Sequence, residues 1–205
     1  VIQVAFAEAP ADNATLSFAP AVQSDTEFIS DMGILKQQGR KVLISIGGQN
    51  GIVVLNDATA KNKFVTSLKA IVDKYGFDGV DIDLEEGTSL GMDANDKNPN
   101  APTTPKIVNL IAAVKEVVNY YKGQGKDFWL TMAPETYYVQ VGYGATYGAG
   151  NVGAYLPIIN GLRNELTFVH PQYYNTGSVT ALDGRAYNQA TPDFSVSMSE
   201  LLLQG

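Results

Sequence analysis

The chain has 205 residues, 45% hydrophobic and 17% charged, enough apolar material for one domain with a sizeable core and too much for a disordered chain. Its 14 Lys and Arg against 21 Asp and Glu leave a net charge of −7, which disfavours nucleic acid and anionic membrane as partners and suits a neutral or weakly cationic substrate. The absence of cysteine and the single histidine, His170, exclude disulfides, thiolate zinc sites, cysteine nucleophiles and multi-histidine metal centres, and no apolar run reaches the roughly 18 residues of a membrane-spanning helix.

The opening residues, VIQVAFAEAP, lack a Met, a basic segment and a cleavage motif, and read as the middle of a longer protein. Residues 1–7 predict a first strand. Residues 25–39 predict a helix with Phe28, Ile29, Met32 and Leu35 on one face and Gly39 at its end. Residues 41–48, KVLISIGG, predict the second strand. Residues 59–76 predict a helix with Thr59 as N-cap, an apolar face of Phe64, Val65, Leu68, Ile71 and Val72, and Gly76 as its stop. The third strand is expected over 77–85, FDGVDIDLE. A helix follows over 104–125, with Pro105 in its first position and glycine at its end. Residues 128–135, FWLTMAPE, predict the fourth strand, and 153–166 a helix broken or kinked near Pro157. Residues 167–175, TFVHPQYYN, predict the fifth strand, and 193–204 a last helix.

The strands are short and rich in Val, Ile, Leu and Phe without clean alternation, as expected of a parallel sheet built from βαβ units. Polar clusters close each strand: Glu8, Ser45–Gln49, Asp81–Glu85, Glu135 and Gln172–Asn175. Chemistry at five strand ends favours an α/β fold of the (β/α)8 TIM-barrel type over a doubly wound sheet. Only five βα units can be counted, so an incomplete barrel is expected, a single catalytic domain over 1–205 that stays monomeric unless its open edge strands associate.

The residues FDGVDIDLEE (77–86) carry five acids among apolar neighbours. Side chains alternate faces along a strand, so Asp81, Asp83 and Glu85 share one face, while Val80, Ile82 and Leu84 point outward under helices. Carboxylates so close in a low-dielectric pocket cannot all ionise comfortably, and at least one pKa must rise. The most forward and longest of them, Glu85, is the expected general acid, with Asp81 and Asp83 tuning it from behind. Clustered carboxylates also suit a hard cation, and on these grounds alone acid catalysis and a metal site are equal alternatives.

DGVDIDLE (78–85) resembles the DxxDxDxE signature of family 18 glycoside hydrolases, the chitinase family. SIGG (45–48) is similar to that family's SxGG motif, and MAPE (132–135) and QYYN (172–175) resemble its next two strand motifs. AFAE (5–8) extends the likeness to bacterial members. The resemblance implies that Glu85 protonates the glycosidic oxygen and that the substrate's own 2-acetamido group acts as nucleophile. It further implies that Asp83 orients that group and shares a proton with Asp81, and that Tyr174 hydrogen-bonds the acetamido oxygen. Phe6, Ser45, Gly47, Gly48, Met132, Glu135, Gln172 and Asn175 match substrate-lining positions, with the glycines also serving simply to leave room. No cofactor and no metal is expected. The implied substrate is chitin or N-acetylglucosamine oligosaccharides, with secretion inferred from that polymer. An endo-β-N-acetylglucosaminidase, a chitin-binding lectin on the same barrel and a metal-dependent hydrolase are the rival readings.

The family barrel also has a strand ahead of VIQVAFA and two after QYYN, the last carrying a tryptophan under the reacting sugar; the only tryptophan here is Trp129, expected in the core. His170 is expected to be a satisfied core histidine. GAGNVG (148–153) does not follow a strand directly and is a false match to a dinucleotide loop. It is expected to flank the cleft, with Tyr137, Tyr138, Tyr143 and Tyr147 as candidate sugar platforms. In the loop 87–105, Asp93, Asp96 and Asn98 lack the spacing of a calcium loop and are expected on a solvated rim.

Overall fold

Five parallel strands form the main sheet: β1 (Ile2–Ala7), β2 (Val42–Gly48), β3 (Gly79–Leu84), β4 (Trp129–Met132) and β5 (Phe168–Val169). They pair in chain order, β1-β2-β3-β4-β5. A computed structural model of the chain describes residues 1–85, 87–143, 147–148 and 150–204. Glu86 of the acid stretch and Ala149 of the glycine-rich stretch therefore lie outside the described residues. The crossovers carry α1 (Asp25–Gln37), α2 (Ala58–Tyr75), α3 (Gly87–Leu90) with α4 (Pro105–Gly123), and α5 (Tyr155–Gly161). Right-handed crossovers between strands laid down in one direction put every helix on the same face. A doubly wound sheet instead reverses its order at a switch point and covers both faces. This sheet does not reverse, so one face carries the helices and the other stays open, as in the wall of a barrel.

The helices follow from local chemistry. Ser24 and Glu27 form a reciprocal capping box at the start of α1. Asp57, and not the expected Thr59, caps α2: its carboxylate accepts from the N–H of Ala60 at 2.8 Å, and the helix begins one residue earlier. Gly76 ends α2 in the left-handed region at φ +73°. In α5, Pro157 falls in the first turn, where its missing N–H removes no intrahelical bond, so it neither breaks nor kinks the helix. That helix is shorter than 153–166 and stops at Gly161.

On the helix side, Val80, Ile82 and Leu84 of β3 are fully buried in one cluster with Phe64 and Leu68 of α2 and Val114 and Val118 of α4. Each such side chain contributes roughly 1.5–3 kcal/mol by leaving water. This layer fixes the parity of β3 and so commits Asp81 and Asp83 to the open face, since a one-residue slip would put both in the apolar core.

The fifth strand is shorter than expected. Pro134 has no N–H with which to complete the ladder opposite His170. Past that point single contacts hold the chain in line: His170 N–H to Met132 O at 2.9 Å, Gln172 N–H to Pro134 O at 2.8 Å, and a bridge between Glu135 and Gln172. After β5 comes an unanticipated hairpin, β6 (Ser178–Thr180) with β7 (Ala186–Asn188), turned around Gly184 at φ +79°. It packs through Val179 on Phe194, Met198 and Leu201 of α6 (Pro192–Gln204).

Candidate active site

Register brings the polar residues of three strands to one level. Ser45 of β2, Asp81 of β3 and Thr131 of β4 lie side by side. Ser45 Oγ donates to Asp81 Oδ2 at 2.7 Å and Thr131 Oγ1 donates to Oδ1 at 2.5 Å. Nε2 of His170 sits 2.8 Å from the same Oδ1. Asp81 is thus a buried carboxylate held by three groups, two from the flanking strands and one from the residue that follows β5.

One level up, Gly47 pairs with Asp83. A Cβ on Gly47 would lie 2.4 Å from the carbonyl oxygen of Asp83, and its φ is +109°. Gly48, at φ +75°, lies under the ring of Phe6, which a Cβ would approach to 2.7 Å. Both glycines therefore work by making room for neighbours, the reading of them as spacers. The obstacle at Gly47 is backbone that cannot swing aside, so Gly47→Ala is expected to destabilise the chain by about 2 kcal/mol or more. Urea unfolding at neutral pH measures this.

Gln172 ties the forward acids together. Its Nε2 donates to Asp83 Oδ1 at 2.7 Å, to Glu85 Oε1 at 3.2 Å and to Ala133 O at 2.9 Å. Two buried tyrosines pin the backbone from which these acids project. The Tyr155 hydroxyl accepts from Leu84 N–H at 2.7 Å, and that of Tyr138 donates to Glu85 O at 2.8 Å. Tyr138, one of the four candidate sugar platforms, therefore serves as a brace.

The electrostatics follow from this crowding. Asp83 is 8% exposed, and burial, then the charges of Glu85 and Asp81, push its pKa up to about 7 against the Gln172 hydrogen bond. The expected rise is therefore found on Asp83. Half-buried Glu135 is pushed up by burial and by the charge of Glu85. Burial, then Glu85 and Asp83, raise Tyr174, so its phenol keeps its proton at neutral pH.

A cleft of about 370 Å³ opens over Asp81 and Asp83, bordered also by Phe6, Ser45, His170, Gln172 and Tyr174. Tyr174 is 58% exposed there, with its ring free to meet a ligand. A larger hollow of about 530 Å³ beside Leu156, Ile159 and Leu201 is lined by no acid, so chemistry and not size marks the site. Tyr143 borders that hollow and not the acid cleft.

Some expected residues stand elsewhere. Met132 is fully buried in the core beside Ile82, because it shares the parity of the apolar face; Thr131 takes the inward position. Asn175 is exposed in the left-handed region at φ +51°. Asp96 is not on a solvated rim: it is buried, and its Oδ2 accepts from the N–H groups of Thr103 and Thr104 and from Thr104 Oγ1. Among the described residues no three His, Asp or Glu are placed to hold a metal ion. Sequence reading missed Thr131, the bracing role of Tyr138, Tyr155 and the contact of His170. Parity along FWLTM signalled Thr131, while the other three depend on contacts across more than 35 residues.

Strands in sequential order, helices on one face and a row of acids closing the third strand are the features of a barrel wall with its site at the strand ends. The sequence model for glycosyl hydrolases family 18 matches residues 1–198, and the chain belongs to that family. It is 54% identical over 206 residues to chitinase Chi52 of Paenibacillus xylanexedens, covering 100% of this chain and 38% of that protein. It is also 54% identical over 207 residues to chitinase D of Niallia circulans, with the same two shares, 100% and 38%. A family 18 chitinase of Chromobacterium violaceum superposes with a TM-score of 0.84 at 43% identity, over 98% of this chain and 50% of the other. The fold is accordingly that of the (β/α)8 barrel, of which the chain supplies five consecutive strands. It spans little more than a third of the length of these curated relatives, 38%.

Proposed function

We propose that residues 1–205 form catalytic-domain sequence of a chitinase, hydrolysing β-1,4 linkages between N-acetylglucosamine units with retention of configuration. The observation that carries this reading is the Gln172 amide shared between Asp83 and Glu85, with Asp83 pushed up to about 7. Glu85 stands next to a proton-holding neighbour, Asp83, and one amide bridges the two. Glu85 gives its proton to the glycosidic oxygen as the C1–O bond breaks. The carbonyl oxygen of the substrate's 2-acetamido group closes on C1, in place of a second protein carboxylate. Asp83 accepts the acetamido N–H, Tyr174 donates to the acetamido oxygen, and the carboxylates stabilise positive charge at the ring. Glu85 then takes a proton from the water that attacks C1 as the bond between C1 and the acetamido oxygen breaks.

Donors already occupy both oxygens of Asp81, through Ser45, Thr131 and His170, and one oxygen each of Asp83 and Glu85, through Gln172. Turnover is therefore expected to be unchanged in EDTA. A polymer substrate outside cells places the working protein there too. The test is incubation of the chain with a soluble N-acetylglucosamine tetramer, with the first products followed by NMR. Initial β-anomer, with and without EDTA, supports the reading. Initial α-anomer, or no turnover by the folded chain, overturns it for these residues.

A further inference from the structure

The acid row leans on a residue that the reaction above does not use. Ser45 and Thr131 hold Asp81 with neutral hydroxyls, both buried. The remaining group on Asp81 is the imidazole of His170, whose side chain is 38% exposed in the open cleft. Its backbone is tied to β4 through Met132 O, and its ring rests on Phe168 with centroids 5.6 Å apart. It is thus a rigidly mounted group, and the one member of the cradle that can change charge near neutral pH.

We propose that His170 is a positioning residue for the acid row: its Nε2–H clamps Oδ1 of Asp81 from the cleft side, and its own protonation sets the charge that Asp83 senses. Titratable groups facing the imidazole are Asp81 and Asp83 of β3, with the neutral phenol of Tyr174 farther along its own segment. What β1, β2 and β4 present there, Gln3, Phe6, Ser45 and Thr131, carries no charge. The hydrogen bond to Asp81 raises the His170 pKa above its ordinary 6.5, opposed by burial and reinforced by the charges of Asp81 and Asp83. The imidazolium in turn lowers Asp83. As pH rises through the His170 pKa this offset disappears, and Asp83 holds its proton more tightly.

The consequence for turnover rests on the hydrolase reading; the clamp itself does not. With a single histidine in the chain, its ring signals in long-range proton–nitrogen NMR spectra are unambiguous. The expected midpoint lies above 6.5 in the wild type and falls in Asp81→Asn, which removes the charge and the hydrogen bond that raise it. A wild-type midpoint at or below 6.5, or one that Asp81→Asn leaves in place, overturns the clamp whether or not the chain turns over substrate. If Asp81→Asn does not fold, the wild-type midpoint alone decides. In the tetramer assay, His170→Leu is expected to lower kcat about tenfold with little change in KM. His170→Gln can place an amide N–H near the site of Nε2 and should stay within about threefold of wild type, with a flatter pH profile. Identical kcat and pH profiles for wild type and His170→Leu overturn the role in turnover.

Discussion

Glu85→Gln lowers kcat on the tetramer by about 10²–10⁴-fold, with KM and thermal stability close to wild type. The substitution removes one capacity only. A glutamine there keeps a carbonyl oxygen to accept from the Gln172 amide, as Glu85 Oε1 now does at 3.2 Å. Its backbone carbonyl still accepts from Tyr138. What it cannot do is give a proton to the leaving oxygen or take one back from water. A loss confined to kcat therefore marks an interaction made in the transition state. Wild-type rates in this variant would sink the assignment of Glu85 as the acid. A loss in KM alone would make Glu85 a binding group and leave the proton transfer to another residue.

The alternation of acids and aliphatics from Asp78 to Glu85 was enough to place Asp81, Asp83 and Glu85 on one face, because the opposite face had to hold Val80, Ile82 and Leu84. Strand order and helix positions were legible for the same reason: glycine stops and apolar periodicity act over short spans. The fifth strand was harder to bound, since its ladder depends on Pro134, just past the end of β4. Met132 was misplaced because a motif match does not carry parity; counting from Thr131 would have corrected it. The β6–β7 hairpin had a usable signal in the Asp183–Gly184 pair. Nothing local marks Tyr155 as the brace of Leu84 or His170 as a clamp on Asp81, at separations of 71 and 89 residues. Which carboxylate bears the raised pKa was equally out of reach, since it is decided by burial and by where the donors stand. Three of those donors surround Asp81, whereas the Gln172 amide is shared between Asp83 and Glu85.

The same crowding predicts that the site is held at a cost to the fold, and Asp83→Asn measures it. A carboxyl whose folded pKa stands above its unfolded value penalises the native state wherever the unfolded chain would ionise more readily. For Asp83 the folded value is about 7 against an ordinary 3.8. The penalty is absent below about pH 4, grows as pH rises toward 7, and stays constant above that. Its ceiling is about 4 kcal/mol, and solvent in the open cleft brings the expected figure to about 2 kcal/mol. Asparagine keeps an oxygen for the Gln172 amide and cannot ionise. Asp83→Asn is therefore expected to match wild type in thermal unfolding at pH 4 and to exceed it by about 4–8 °C at pH 8. Turnover should meanwhile fall about 10²-fold, since a neutral amide can neither offset positive charge at the ring nor hold a mobile proton behind Glu85. A variant no more stable than wild type at pH 8 would mean that Asp83 ionises without strain, and the proton-holding role given to it would fall. A variant both more stable and less active would show that the repulsion among these acids is kept because the reaction uses it.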